Sequence, residues 1–286
     1  MDSLVTYVYR ESPETRHNLE YFLKNALTGN ATFHFVINGY ECSLHICPKP
    51  NVKVFRRANS LDYEAFKFSI DRAGRSYDYY FFVNSSSIGP FLPVWNHDPW
   101  TGVFIRTMRK RGLDMLAPVI EVPSDSYGYL SMGERTPTVS PNVPFVHTYM
   151  FACTGRALQY LLRYQCFSYA NKVELIFINE RRVSACLLFN RLKVGSLLTK
   201  YRHVDFSDRA NWNWKTWSRS PVTCPEVPLN YGNSDLNPYE VIFVKSIRNV
   251  TETRPPEYAG ISDNLRNLLT NYVKWNDTGT DATRCT

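Results

Sequence analysis

The polar residues that follow directly on apolar runs are the ones placed to do chemistry in this chain. They are Arg10 and Glu11 after VTYVY, Asn38 and Gly39 after FHFVI, Arg57 and Asn59 after VKVF, Asn84 to Ser87 after YYFFV, and His147 or Thr148 within FVHTYMF. If each run is a strand of an open α/β sheet, these positions lie beyond strand ends, where turns offer N–H groups and polar side chains to a ligand. The set is hydrogen-bonding and partly cationic, which suits the phosphates of a nucleoside diphosphate. No GxGxxG and no GxxxxGK[ST] pattern occurs, so neither a dinucleotide site nor an ATP-hydrolysing loop is expected.

Carboxylates at similar positions are candidates for proton transfer or ligand contact. Asp62 opens an apolar-periodic segment, where it either accepts from a ribose or base or caps a helix. Glu180 follows an apolar stretch in FINERRVS, and Asp205 lies in YRHVDF. Arg10, Arg57 and Arg181 are candidate cations for an anionic ligand, with solvated surface arginines as the alternative. Trp212, Trp214 and Trp217 share a loop-like segment, where their rings either stack on sugar faces or anchor the loop to the core.

The elements that must position these groups alternate in type. Val5–Tyr9 reads as a strand, Ser12 as a cap and Pro13 as the start of a helix running to about Thr28. Strands are predicted at Phe33–Ile37, Val52–Phe55 and Tyr77–Val83, with a helix over Leu61–Ala73 between the last two. Tyr77–Val83 is nearly all apolar, as a strand buried on both faces of a parallel sheet must be. A helix over Trp100–Arg111, strands over Met115–Val122 and Phe145–Phe151, and helices over Thr154–Tyr164 and Val183–Leu192 follow. Tyr239–Ile247 reads as a late strand and Ile261–Trp275 as a terminal helix. This alternation predicts an α/β fold of the Rossmann-like, doubly wound type with a mostly parallel sheet flanked by helices. Two portions are expected: a core over 1–206, divided near 122 and 145 by a Ser/Pro/Gly-rich stretch, and a Trp-rich C-terminal portion over 207–286 packed on it.

Bulk composition narrows the classes. Hydrophobic residues make up 44% of the 286 and charged residues 21%, which supports a buried core and excludes a wholly disordered chain. The net charge of +7 favours anionic ligands, but the basic residues are scattered, so no nucleic acid partner is expected. No run approaches the length of a membrane span, and the N-terminus lacks the pattern of a signal peptide. The seven cysteines show no CxxC pair and no zinc-ligand spacing; the odd count reads as reduced thiols in a cytoplasmic protein.

Several blocks together resemble a known family. YVYRES, NLEYFLKNAL, FHFVING, NSSSIGPFLP, FVHTYMFACTGRALQYLL, INERRVS and NPYEVIFVK occur in an order similar to GT-A-type glycosyltransferases of chloroviruses and their algal and fungal relatives. NSSSIGPF and HTYMFA are the more specific of these blocks, and together the blocks span most of the chain. The resemblance implies a UDP-sugar donor, with xylose the nearest match, and a glycan acceptor such as a viral capsid N-glycan. It further implies inversion at the anomeric carbon, and a host-cytoplasmic location if the source is a virus. It makes Glu180 the base, with Asp205 in reserve, and makes Tyr9, Arg10, Asn38, Arg57, Asp62, Asn84, Ser85, Ser86, His147 and Thr148 the donor contacts. Trp212 and Trp214 become acceptor contacts. The chain departs from the family at the strand end where two aspartates would hold a divalent cation (Mn²⁺ or Mg²⁺): Asn84, Ser85 and Ser86 stand there, and an amide and hydroxyls neutralise such a cation poorly. A non-catalytic protein that binds a nucleotide sugar or a glycan is the alternative reading.

Overall fold

The computed structural model describes residues 1–58, 60–123, 143–168, 180–212 and 236–246. Its centre is β1 (Ser3–Tyr9), whose seven residues are all buried because the strand is paired on both sides and covered on both faces. The chain leaves β1 through Ser12, whose hydroxyl accepts from the Thr15 N–H at 3.2 Å, and Pro13 opens α1 (Pro13–Asn25). It returns in β2 (Thr32–Asn38), parallel to β1, and then in β3 (Val52–Arg57), parallel to β2. Next, α2 (Asp62–Asp71) crosses over to β4 (Tyr79–Asn84), which pairs parallel with β1 on its other side.

After β4 come the short β5 (Ser87–Ile88) and α3 (Trp100–Arg111). Arg109, Lys110 and Arg111 occupy the last turn of α3, and Gly112 closes it in the left-handed conformation at φ 63°. The densest basic group of the sequence is therefore a helix C-terminus, where cations complement the dipole.

The predicted strand over Met115–Val122 is two strands, β6 (Met115–Ala117) and β7 (Ile120–Glu121), separated at Pro118, which has no N–H for a ladder. Phe145–Phe151 likewise divides into β8 (Phe145–Val146), which pairs with β7, and β9 (Met150–Thr154). Then follow α4 (Gly155–Arg163), α5 (Glu180–Phe189) and β10 (Val194–Ser196). The predicted late strand begins instead with one helical turn, Pro238–Val241, and only then becomes β11 (Val244–Lys245), antiparallel to β5. The terminal helix expected over Ile261–Trp275 lies outside the described residues.

The main sheet has seven strands in the order β10-β6-β9-β4-β1-β2-β3. It is mostly parallel, as expected, but β9 runs antiparallel to both neighbours. Two aromatic layers hold it. Phe22, Phe81 and Phe243 surround Trp100 on one face, with ring centroids 5.0–6.2 Å away. On the other face Phe82 lies 5.0 Å from Phe66 and 4.9 Å from Phe151. Among the described residues, the aromatic rings serve chiefly this core. Phe243 belongs to it, so residues 236–246 are built into the same packed body.

Candidate functional site

The strand order reverses between β1 and β4, and in a doubly wound sheet ligands bind beyond the carboxyl ends at that point. There the chain presents Arg10 from β1 and Asn84 to Ser87 from β4. Because β9 is antiparallel, its amino end arrives at the same edge: the Asn84 N–H donates to the Tyr149 carbonyl at 2.9 Å. That reversal puts Thr148 beside Asn84.

Two carboxylates converge on this edge. Asp62, in the first turn of α2, accepts from Asn84 Nδ2 at 3.0 Å. It does not act as the cap residue; Leu61 holds that position and makes no side-chain cap bond. Glu180, at the start of α5, accepts from Thr148 Oγ1 at 2.9 Å. The helix carrying it is seated by Ser184, whose hydroxyl accepts from the buried Val146 N–H at 3.0 Å, and by Arg181, which lies over the Phe145 ring at 5.3 Å. Burial raises the pKa of Asp62 and nearby Glu180 adds to that, against the opposing pull of Asn84, Lys245 and Arg10. These five groups therefore share one electrostatic environment. The Tyr63 phenol beneath them is held well above its usual value, first by burial and then by Glu180.

Several sequence expectations are corrected by position. Asp205 accepts from Lys193 Nζ at 2.6 Å and from the Ser207 hydroxyl at 2.6 Å. Lys193 precedes β10, and its N–H donates to Asp114, which precedes β6. Both lie at the amino ends of parallel strands, so Asp205 is at the edge opposite Glu180 and cannot share its chemistry. Trp212 goes with it: its indole N–H donates to the Phe206 carbonyl at 2.8 Å, its ring lies edge-on to Phe189, and it is buried. It anchors the loop and offers no face to a sugar. Trp214 and Asn59 lie outside the described residues.

Other residues near the right edge are occupied structurally. The Arg57 guanidinium turns along α2, donating to the Glu64 carbonyl at 3.1 Å and lying over Phe68. Arg181 is buried against Phe145 and is no exposed cation. His147 is buried, with Nε2 3.1 Å from the Glu121 carboxylate and its ring stacked on Phe145. The Asn38 side chain is buried and closes the β2 exit by bonding Ser60 through both its oxygen and its nitrogen. Tyr9 is fully buried, and burial followed by Glu11 raises its phenol. Ser85 is buried, with its N–H donating to the Val8 carbonyl and its own carbonyl accepting from Asn18 Nδ2. Of the expected donor contacts, Arg10, Asp62, Asn84, Ser86 and Thr148 are those brought together at this edge.

Two residues that sequence reasoning missed belong to the site. Asn18 clamps the turn, donating to the Ser85 carbonyl at 2.8 Å and to Ser246 Oγ at 2.7 Å. Lys245 arrives on β11 opposite Ser87. It stands at the end of the apolar run VIFV, the same signal that singled out the other strand ends.

The residues at the expected metal position do not suit a cation. Asn84 Oδ1 already accepts from the Ser86 N–H at 3.1 Å and from Ser86 Oγ at 2.5 Å. Among the described residues no three His, Cys, Asp or Glu side chains form a group able to hold a metal. The cysteines bring one further correction. Cys42, Cys153, Cys166 and Cys186 are free thiols, but Cys47 is disulfide-bonded.

No protein-family model matches the chain, and no curated protein matches it. No helix among the described residues is long and apolar enough to cross a membrane.

Proposed function

We propose that the chain is a glycosyltransferase that moves a sugar from a nucleoside-diphosphate donor to a hydroxyl of a glycan. The observation that carries this reading is the meeting of Glu180, Asp62, Asn84 and Thr148 at the strand switch, with Arg10 and Lys245 in the same field. The donor's diphosphate is met by the cations Arg10 and Lys245, and Asn84 holds the Asp62 carboxylate in place. Glu180 takes the proton from the acceptor hydroxyl while that oxygen bonds to the anomeric carbon and the bond to the diphosphate oxygen breaks on the opposite face. Thr148 orients Glu180 for that task. The resemblance to chlorovirus enzymes makes UDP-xylose the first donor to try and a capsid N-glycan the first acceptor.

The test is a panel of UDP-sugars with glycan acceptors, with UDP release as the readout, on wild type and Glu180→Gln. The variant is expected to lose about 10²–10⁴-fold in turnover, the usual contribution of a general base, while donor affinity stays within about threefold. Unchanged turnover in Glu180→Gln removes the base assignment. Tight donor binding with no transfer to any acceptor favours the non-catalytic binding protein instead.

A further inference from the structure

The mismatch between the Asn84–Ser86 turn and a divalent cation leaves the diphosphate's charge to be met by something else, and the fold delivers a replacement. Lys245 is the Cα partner of Ser87 across the β5–β11 pair, and the next residue, Ser246, donates its N–H to the Ser86 carbonyl at 2.9 Å. The lysine is therefore fixed by backbone bonds to the same turn that would carry the metal ligands. Its strand is anchored from below. Phe243 packs 5.0 Å from Trp100, its carbonyl accepts from Tyr149 Oη at 3.2 Å, and the Ile242 carbonyl accepts from the Phe91 N–H at 2.8 Å. Asn18 completes the clamp by bonding both Ser85 and Ser246.

Among the described residues, the charge that this clamp positions is not taken up in an ion pair. Lys245 is half-buried and makes no ion pair among the described residues, whereas Lys67 and Lys193 both do. Its ammonium and the Arg10 guanidinium both act electrostatically on Asp62. A cation held in position before the ligand arrives needs no reorganisation as charge develops on a leaving group.

We propose that Lys245, assisted by Arg10, neutralises the diphosphate of the nucleotide ligand in place of a divalent cation, so that donor binding is independent of metal. This rests on the reading of the switch-point edge as a nucleoside-diphosphate site. It adds a specific residue from the C-terminal strand, and a metal requirement that is the opposite of a carboxylate-held cation.

The experiment is isothermal titration calorimetry of UDP, GDP and dTDP into protein treated with EDTA, repeated with Mn²⁺, carrying the tightest nucleotide forward to variants. Binding in EDTA is expected, with Mn²⁺ changing the affinity by less than about threefold. Lys245→Met weakens binding by about 10- to 100-fold, the range for losing one hydrogen bond to a charged group. Lys245→Arg restores most of that loss and guards against a fold defect. Lys67→Met, which removes a charge from the exposed side of α2, leaves affinity unchanged. A requirement for Mn²⁺ in the wild type overturns the inference, and so does Lys245→Met binding as tightly as wild type; either result leaves the transferase reading standing. Failure of the wild type to bind any of the three diphosphates, with or without Mn²⁺, overturns both.

Discussion

Asn84 is the residue on which the site turns, because its two side-chain ends are committed in opposite directions: Nδ2 to Asp62 and Oδ1 to Ser86. Asn84→Asp would place a carboxylate where the glycosyltransferases that the sequence resembles are expected to have one, yet it would face Asp62 at the distance of the present 3.0 Å bond. Two partly buried carboxylates that close cannot both ionise cheaply. The variant is expected to lose about 1–3 kcal/mol of stability at pH 7 and to regain most of it near pH 5, where the pair shares a proton, as urea midpoints at the two pH values would show.

A second residue-scale prediction concerns His34. It is buried on β2 with Nδ1 3.0 Å from the Ser69 hydroxyl, and burial, then Lys53, lowers its pKa to about 4. A histidine neutral in the fold and basic in the unfolded chain stabilises the fold above its ordinary value; that contribution is lost as pH falls from about 6.5 towards 4. Wild type is expected to lose up to roughly 3 kcal/mol over that window. His34→Phe should flatten the dependence in the same denaturation series.

At the scale of elements, the turn after β4 is held from outside by the C-terminal strand. Gly89 sits at φ 152°, and a Cβ there would lie 2.6 Å from the Ile242 carbonyl oxygen and 2.6 Å from Phe243 Cδ1. Gly89→Ala must therefore displace the segment that carries Lys245. It is expected to cost about 2–4 kcal/mol and to weaken nucleotide binding along with stability, as thermal melts with and without UDP would show. Ser12→Ala, which removes only the cap of α1, should cost about 1 kcal/mol and leave binding intact.

Elements of this kind were legible where local signals agree. Ser12-Pro13 marks the start of α1, and the apolar runs ending at Tyr9, Asn38 and Asn84 mark the strands whose ends form the site. Direction was not legible. The apolar pattern of Phe145–Phe151 says strand but carries nothing about its division or pairing, and the antiparallel run of β9 is what brings Thr148 and Glu180 to Asn84. Asp205 and Trp212 were misplaced for the same reason, since the sequence does not reveal which edge of the sheet a loop after β10 returns to. Lys245 was hidden inside a segment read as one continuous strand.

For the whole molecule, the excess positive charge has two distinct uses. The cluster at Arg109 to Arg111 closes a helix, while Arg10 and Lys245 stand at the strand switch. Added salt should therefore weaken diphosphate binding more than it weakens the fold, a difference that titrations at rising NaCl and melts in the same buffers would resolve.

The clamp between Asn18 and Ser246 joins residues 228 positions apart. During synthesis from the N-terminus, β1 to β10 are all made before the segment that carries Ser246 exists. At about 5–20 residues per second, the interval between residue 212 and residue 246 is on the order of seconds. A nascent chain in that interval has these strands but not the Asn18–Ser246 clamp, so a ligand that needs the clamp can reward folding only once residue 246 has emerged.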